Sequence, residues 1–511
     1  MKKKSLKKLL ALGMASAMTA GMLAGCGGSD APAEKPADNG AASTEEAAAP
    51  AEDAKKDDAA ASNGEVPTLT WWTVGGTPAD DFDEAIAQIS DYAEEKIGVR
   101  IDVKIAGWGE YDQKMNNIIN TGEYFDIMFV NNTNYNKFVN LNALENITDL
   151  VQTATPELYS FIPEDLWKGA QIHGNVYAVP TYKDSSLTQF WMLDDQYVQK
   201  YNIDVESIKD YATLDPAIRA IKEGEGNSCY PVQLAQGSLF NGFFNNYDGL
   251  AGGVQSIGVR VDDESRKVVC TLEQEDIKEG FKWLHEWYMD GLINPDANVI
   301  AEGNKKAIFG TAQGWPAAVE TWQVNSGVEK YDLTKVFGPI YTTETIQGSM
   351  NAISANSKYK EEALKVLQLM NTDSKFRDMC AYGTEGNYMK YEEDGTVTRI
   401  RDDWSWPSYT QGTFFILSTL SDGDPEAWEQ VKKQNEEATP STCLGFALDI
   451  SNIQNEVSNC NTVWDKYKYD LQTGASDPDQ VLDQCISELK AAGLDTVIAE
   501  AQKQVDEFFA E

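Results

Sequence analysis

Histidine is nearly absent from the chain and arginine is scarce. Of 511 residues only His173 and His285 are histidines, and only 7 of the 42 basic side chains are arginines. The commonest general base is therefore in short supply. His285 is followed by Glu286, but no second His stands four residues on, so the metalloprotease helix motif is missing. There is no G-x-S-x-G and no P-loop, and none of the seven cysteines forms a C-x-x-C. Those absences remove the hydrolase elbow, the nucleotide cradle and the usual zinc and redox spacings, and no metal or cofactor is expected. Few arginines also argue against bidentate capture of phosphate or carboxylate. Basic residues as a whole are outnumbered 81 to 42, a net charge of -39, which argues against nucleic acid as a partner. What the chain has in quantity is ring surface: 13 Trp, 22 Tyr and 18 Phe, within a 42% hydrophobic composition that can build a core. A neutral ligand met by aromatic faces fits that balance.

The N-terminus carries its own signal. Lys2, Lys3, Lys4, Lys7 and Lys8 precede an apolar run from Leu9 to Leu23, closed by Leu23-Ala24-Gly25-Cys26. A basic start, a short apolar stretch and small residues before a cut site describe a secretory signal peptide. The run is too short and too rich in Gly and Ala for a membrane span. Leu-Ala-Gly-Cys also resembles a bacterial lipobox, which implies that Cys26 becomes the lipid-modified first residue. Residues 27–66 hold no aromatic side chain, 13 alanines and ten acidic against three basic groups. Such a segment cannot bury enough apolar surface to offset its ordering entropy, so a disordered tether is expected. The other six cysteines carry no pairing assignment.

From Thr68 the pattern alternates. Thr68–Thr73 reads as a strand stopped by Gly75-Gly76, and Thr77-Pro78 with Asp80 and Asp81 reads as the start of a helix striped by Phe82, Ile86, Ile89 and Ala93. Val99, Ile101, Val103 and Ile105 make a second strand, Tyr111, Met115 and Ile118 a second helix, and Phe125–Val130 a third strand. This is the grammar of an α/β layer with a largely parallel sheet. Ligands of such sheets lie beyond the carboxyl ends of the strands, which points to Trp72–Gly76 and to Asn131–Tyr135, the latter equally readable as a solvated turn. The aromatic, Asn- and Gly-rich Phe240–Tyr247 stretch reads as a binding loop or, by preference, as a cluster beneath a loop. Thr213–Pro216 opens a further helix, and Ile277, Phe281, Leu284 and Tyr288 stripe another.

Gly174-Asn175-Val176-Tyr177-Ala178-Val179-Pro180 resembles the G-x-x-Y-A-x-P signature of extracellular solute-binding proteins of carbohydrate ABC importers. Lys306–Gly310 to Gly314-Trp315-Pro316 resembles, loosely, a strand and loop of the same family, and Gly348–Ser354 with the helix from Lys358 to Met370 a return strand and helix. Gly445–Asp449, Tyr469–Gly474 and Leu489–Asp495 look like the C-terminal region of its LipO-like lipoproteins. The resemblance runs from about Leu69 to the end. It implies a periplasmic-binding-protein-like type II fold, two discontinuous α/β lobes joined by a hinge. The expected division is 1–26 signal peptide, 27–66 tether, 67–182 with about 339–375 first lobe, 183–338 with about 376–439 second lobe, and 440–511 a C-terminal helical region. It further implies a monomer held by its lipid on the outer face of the bacterial cytoplasmic membrane. There it would hand a carbohydrate, an oligosaccharide by preference, to permease subunits. Expected ligand contacts are Trp72, Tyr182, Trp191, Trp315, Trp404 and Trp406 as stacking platforms and Asn131, Asn351 and Glu385 as polar partners. Each Trp is as readily a core residue. Two rivals remain. A glycoside hydrolase needs only two acids, and Asp402-Asp403 beside Trp404 and Trp406 is the local candidate. A surface lipoprotein that binds another small solute, such as a peptide, is the other.

Overall fold

The computed structural model describes residues 66–240, 242–304 and 306–510. Cys26 and nearly all of the expected tether lie outside the described residues. Two large hydrophobic cores organise the rest, one centred on Trp71, Phe129 and Met350, the other on Trp191, Phe281 and Trp287.

The first core is built on a five-stranded sheet in the order Arg100–Ala106, Thr68–Val74, Ile127–Val130, Met350–Ile353, Ala178–Pro180. The first three strands run parallel, and Met350–Ile353 is antiparallel to both its neighbours. Pro180 ends the edge strand opposite Met350, a place where its missing N–H breaks no interior ladder. The helix expected from Thr77 begins at Phe82 instead. Asp81, at its N-cap position, makes no cap bond, because its carboxylate accepts from Tyr388 and Arg401. The helix expected from Thr213 starts earlier, at Tyr211, where Asp210 and Thr213 form a capping box and Pro216 falls inside the helix.

The second lobe holds a four-stranded sheet in the order Phe309–Gln313, Leu187–Asp194, Tyr331–Tyr341, Thr439–Pro440. The chain leaves the first lobe after Pro180, enters this sheet at Leu187, and returns along Tyr331–Tyr341. A third crossing then runs through the helix Ala427–Glu436 and the strand Thr439–Pro440.

That third crossing changes the expected division. The stretch from Phe376 to Leu417, expected in the second lobe, packs in the first core. Only Asp373 separates the helix Lys360–Thr372 from the helix Ser374–Tyr382, so the chain has no room to leave. Trp406 then meets Trp71 edge-on at 5.1 Å. The C-terminal helices Gln454–Gln472, Pro478–Ala492 and Leu494–Phe509 are no separate body either: Trp464, Cys485, Leu489 and Val497 complete the second core. Gly474 (φ +77°) lies so close to the helix Glu275–Met289 that a Cβ would fall 2.1 Å from the carbonyl oxygen of Leu284. Only a residue without a side chain allows that approach, and His285 Nδ1 donates to the Gly474 carbonyl at 2.8 Å.

If the C-terminal helices share the core of the second lobe, Trp464→Ala should destabilise that lobe by about 3–5 kcal/mol. Hydrogen exchange in the helix Glu275–Met289 should accelerate with it. Unchanged exchange there, beside faster exchange in the C-terminal helices alone, would show two independent units.

Candidate functional site at the lobe junction

The three parallel strands of the first sheet end side by side, at Val74, Ala106 and Val130. Each runs into a short loop: Gly75-Gly76, Gly107-Trp108 and Asn131–Asn134. Trp108 is the most exposed of the large aromatics, 46% accessible. Its indole N–H donates to the Tyr409 hydroxyl at 3.0 Å, and its ring meets Phe129 edge-on. Tyr409 belongs to a segment laid over the strand ends. Gly76 N–H donates to the Ser405 carbonyl at 3.1 Å, and a Cβ at Gly75 would approach the same oxygen to 2.2 Å.

On the other flank, Asn131 closes a local turn by accepting from Thr133, while Asn132 Nδ2 donates to Glu344 Oε1 at 2.9 Å. Glu344 follows the second crossing, in the short helix Thr343–Ile346, and the backbone beside Asp248 of the second lobe approaches its carboxylate. The residue is exposed, yet it is partly desolvated by Asn132 and the backbone at Gly249 beside it. That desolvation holds its carboxyl above the ordinary range, and the buried Asp248 adds to the effect. An accessible but poorly solvated side chain is what a crevice produces.

The crossings form the floor. Asn435, on the third, accepts from Ser186 N and Oγ and donates to the Lys183 carbonyl, so one amide ties two crossings together. Above it Trp315, half-buried, faces Trp428 with ring centroids 6.3 Å apart, and Trp428 faces Phe414 of the first lobe at 4.8 Å. This ladder of rings bridges the lobes. Among the described residues no group of three or more His, Cys, Asp or Glu side chains could hold a metal ion.

The sequence-expected contacts divide. Asn131 follows a strand end, Tyr182 lies on the first crossing and Trp315 faces the third, whereas Trp72, two residues short of a strand end, packs in the first lobe. Trp72 has one ring face covered by Lys114 Nζ at 4.4 Å, and Tyr182 packs edge-on to Phe415 at 4.6 Å. Four others are corrected to packing residues, because their surfaces are already occupied. Trp191 is buried among Tyr211, Phe240 and Phe309. Trp404 packs on Phe82 and Tyr388 and donates to the Cys380 carbonyl, and Trp406 is fully buried on Trp71. Asn351 accepts from Trp71 Nε1 and donates to the carbonyls of Thr410 and Gln411, which fills its amide. Glu385 is exposed in the turn before the strand Met389–Tyr391, on the first lobe alone. The aromatic Phe240–Tyr247 stretch is indeed largely a packing cluster. Trp108, Tyr409, Trp428 and Glu344 at this junction are not among the contacts that the sequence singles out. For Trp108 the signal was there, since it follows a strand end as Asn131 does.

Several known proteins share this architecture. A carbohydrate ABC transporter substrate-binding protein of Streptococcus pneumoniae serotype 4 is 29% identical over 465 residues, 88% of this chain and 92% of the relative. The crystal structure of the N-glycan transport solute binding protein NgtS of S. pneumoniae superposes with a TM-score of 0.78 at 26% identity, covering 87% of this chain and 99% of NgtS. At the same identity its complexes with Man1GlcNAc and Man5GlcNAc score 0.68 and 0.65, covering 87% and 86% of this chain and 100% and 98% of theirs. The fold is thus periplasmic-binding-protein-like, type II. Residues 442–510 match a domain of unknown function, DUF3502. The family model for bacterial extracellular solute-binding proteins matches residues 87–388, more than half of the chain, and the chain belongs to that family.

Proposed function

We propose that this chain is the substrate-binding component of a carbohydrate ABC importer, taking an oligosaccharide between its lobes and presenting it to membrane permease subunits. The observation that carries the reading is the junction itself: an exposed indole at a strand end, a bridging ladder of rings, and amides and a carboxylate on the opposite flank. Rings cover the apolar faces of a sugar, and amide and carboxylate groups satisfy its hydroxyls. Trp108, Tyr409, Trp315 and Trp428 are the ring contacts of this reading, with Tyr182 at the margin and Asn131, Asn132 and Glu344 as polar partners.

The scores against NgtS support a crevice that closes. One protein gives 0.78 in one structure and 0.68 and 0.65 in two glycan complexes, and a difference between structures of one sequence supports a change of arrangement on binding. A ligand that touches both lobes favours the closed state by its differential affinity.

No catalysis belongs to the reading. Asp403 of the Asp402-Asp403 pair is bound by Arg401, which holds its carboxyl below the usual range, the opposite of what a general acid needs. Export and anchoring come from the N-terminus: removal of the signal peptide leaves a lipid on Cys26, and the protein works as a monomer tethered to the outer face of the cytoplasmic membrane.

Trp108→Ala should weaken binding of Man5GlcNAc, used as a probe, by about 2 kcal/mol in titration calorimetry. Unfolding should shift by no more than about 0.5 kcal/mol, since the ring is largely on the surface. Unaltered affinity would remove Trp108 from the site, and a wild-type chain that binds no glycan of a broad panel would end the carbohydrate reading.

Cys26→Ala should release the protein from membranes into the medium with its glycan affinity intact. Retention at wild-type level, or metabolic lipid label still on the variant, would show that the anchor lies elsewhere.

A further inference from the structure

The segment that presents Tyr409 has almost no regular structure of its own. From Trp406 to Thr413 it contains one short 3-10 turn, Ser408–Thr410, and it is nevertheless largely buried. Buried carbonyls need donors, and here every one of the eight has one. The Trp406 carbonyl accepts from Gln411 Nε2, and that of Pro407 from the Thr410 hydroxyl. Asn351 Nδ2 serves Thr410 and Gln411, each at 2.9 Å, and Ser349 Oγ serves Tyr409 at 2.7 Å. The remaining three, Ser408, Gly412 and Thr413, accept from Arg377, Ser408 also from the Gln411 N–H.

Arg377 is fully buried in the helix Ser374–Tyr382. Its Nε donates to the Thr413 carbonyl at 2.7 Å, one Nη to the Ser408 carbonyl at 2.9 Å and more weakly to Gly412, and the other Nη to the Gln411 side-chain oxygen. All these acceptors are neutral. Asp378, next along the helix, is engaged with Ser418 and Tyr391. A guanidinium in so dry a place is costly unless its donors are filled, and burial lowers it only to about 10, so it remains a cation at neutral pH. The planar fork, with donors fixed in direction, reaches three points of a loop at once, as a flexible ammonium would not.

We infer that Arg377 is a positioning residue for the ligand site: its fork fixes the Ser408–Thr413 segment so that Tyr409 meets Trp108 and the pair stands ready at the strand ends before any ligand arrives. The inference rests on the glycan-binding reading above. A rim fixed in advance loses less freedom on binding, which appears as affinity.

The test is a set of double-mutant cycles read by calorimetry with Man5GlcNAc, each variant first checked for folding by circular dichroism and melting. Arg377→Lys keeps the charge and loses the fork. It should weaken binding tenfold or more in the wild-type background, and by less than twofold when Tyr409 is already Ala. Ser349→Ala, which strips only the donor to the carbonyl of Tyr409, is the milder variant. It should cost threefold or more alone and nothing beside Tyr409→Ala. A folded Arg377→Lys protein that binds as wild type, or that loses the same factor in both backgrounds, overturns the inference while the carbohydrate reading stands. If Arg377→Lys does not fold, normal binding by Ser349→Ala overturns it. A wild-type chain that binds no glycan would overturn both.

Discussion

Buried peptide groups must be hydrogen-bonded, and in the first lobe that requirement falls on side chains rather than on a ladder. The sheet satisfies its own strands, but the segment laid across their carboxyl ends has no partner strand. Its carbonyls are met by Arg377, Asn351, Ser349 and Gln411. These four come from a helix, a strand, the approach to that strand and the segment itself. The segment is held from several directions, and the arrangement extends to Trp71, whose indole N–H reaches the same Asn351. The sheet, its cover and the rim of the crevice are thereby one hydrogen-bonded object. A change in any of these polar groups strands a buried partner, which is why such networks cost more to break than their net worth suggests.

The second lobe is organised differently. Its core is closed by helices that come from the far end of the chain, with Trp464 facing Phe244, and with Gly474 drawn against the backbone at Leu284. Among the described residues six cysteines are free thiols, five of them buried and Cys229 partly so. Burial raises Cys270, Cys443 and Cys485 above the ordinary thiol range, to between about 11 and about 12, so they behave as small apolar side chains.

Much of this was legible in the chain, for a physical reason. Periodicity reports which face of an element is covered, and it located the strands at Thr68, Val99 and Phe125 and the helices between them. It does not report which core does the covering. Residues 376–417 carry the same apolar stripes whether they pack in one lobe or the other, and a single-residue link at Asp373 decided the matter. Burial of tryptophan is illegible for a related reason. Trp404 and Trp406 stand beside acidic residues and look like contacts for a sugar, yet their neighbours in space, Phe82, Tyr388 and Trp71, lie far away in sequence. Trp108 was readable by position, as the residue two beyond a strand end. Glu344 was not, because its role depends on Asn132 and the backbone at Gly249 arriving from two lobes.

The three crossings have a mechanical consequence. Two connectors between rigid bodies permit a swing and also a twist about the line that joins them. A third that is bonded to both of the others stiffens the set against that twist. Here the third is a helix, and Asn435 on it grips the first at Lys183 and Ser186. The lobes are then joined by one cross-linked ribbon rather than by three loose cords, and the swing is the motion that ribbon resists least. A molecule so constrained explores few wrong orientations between one capture and the next.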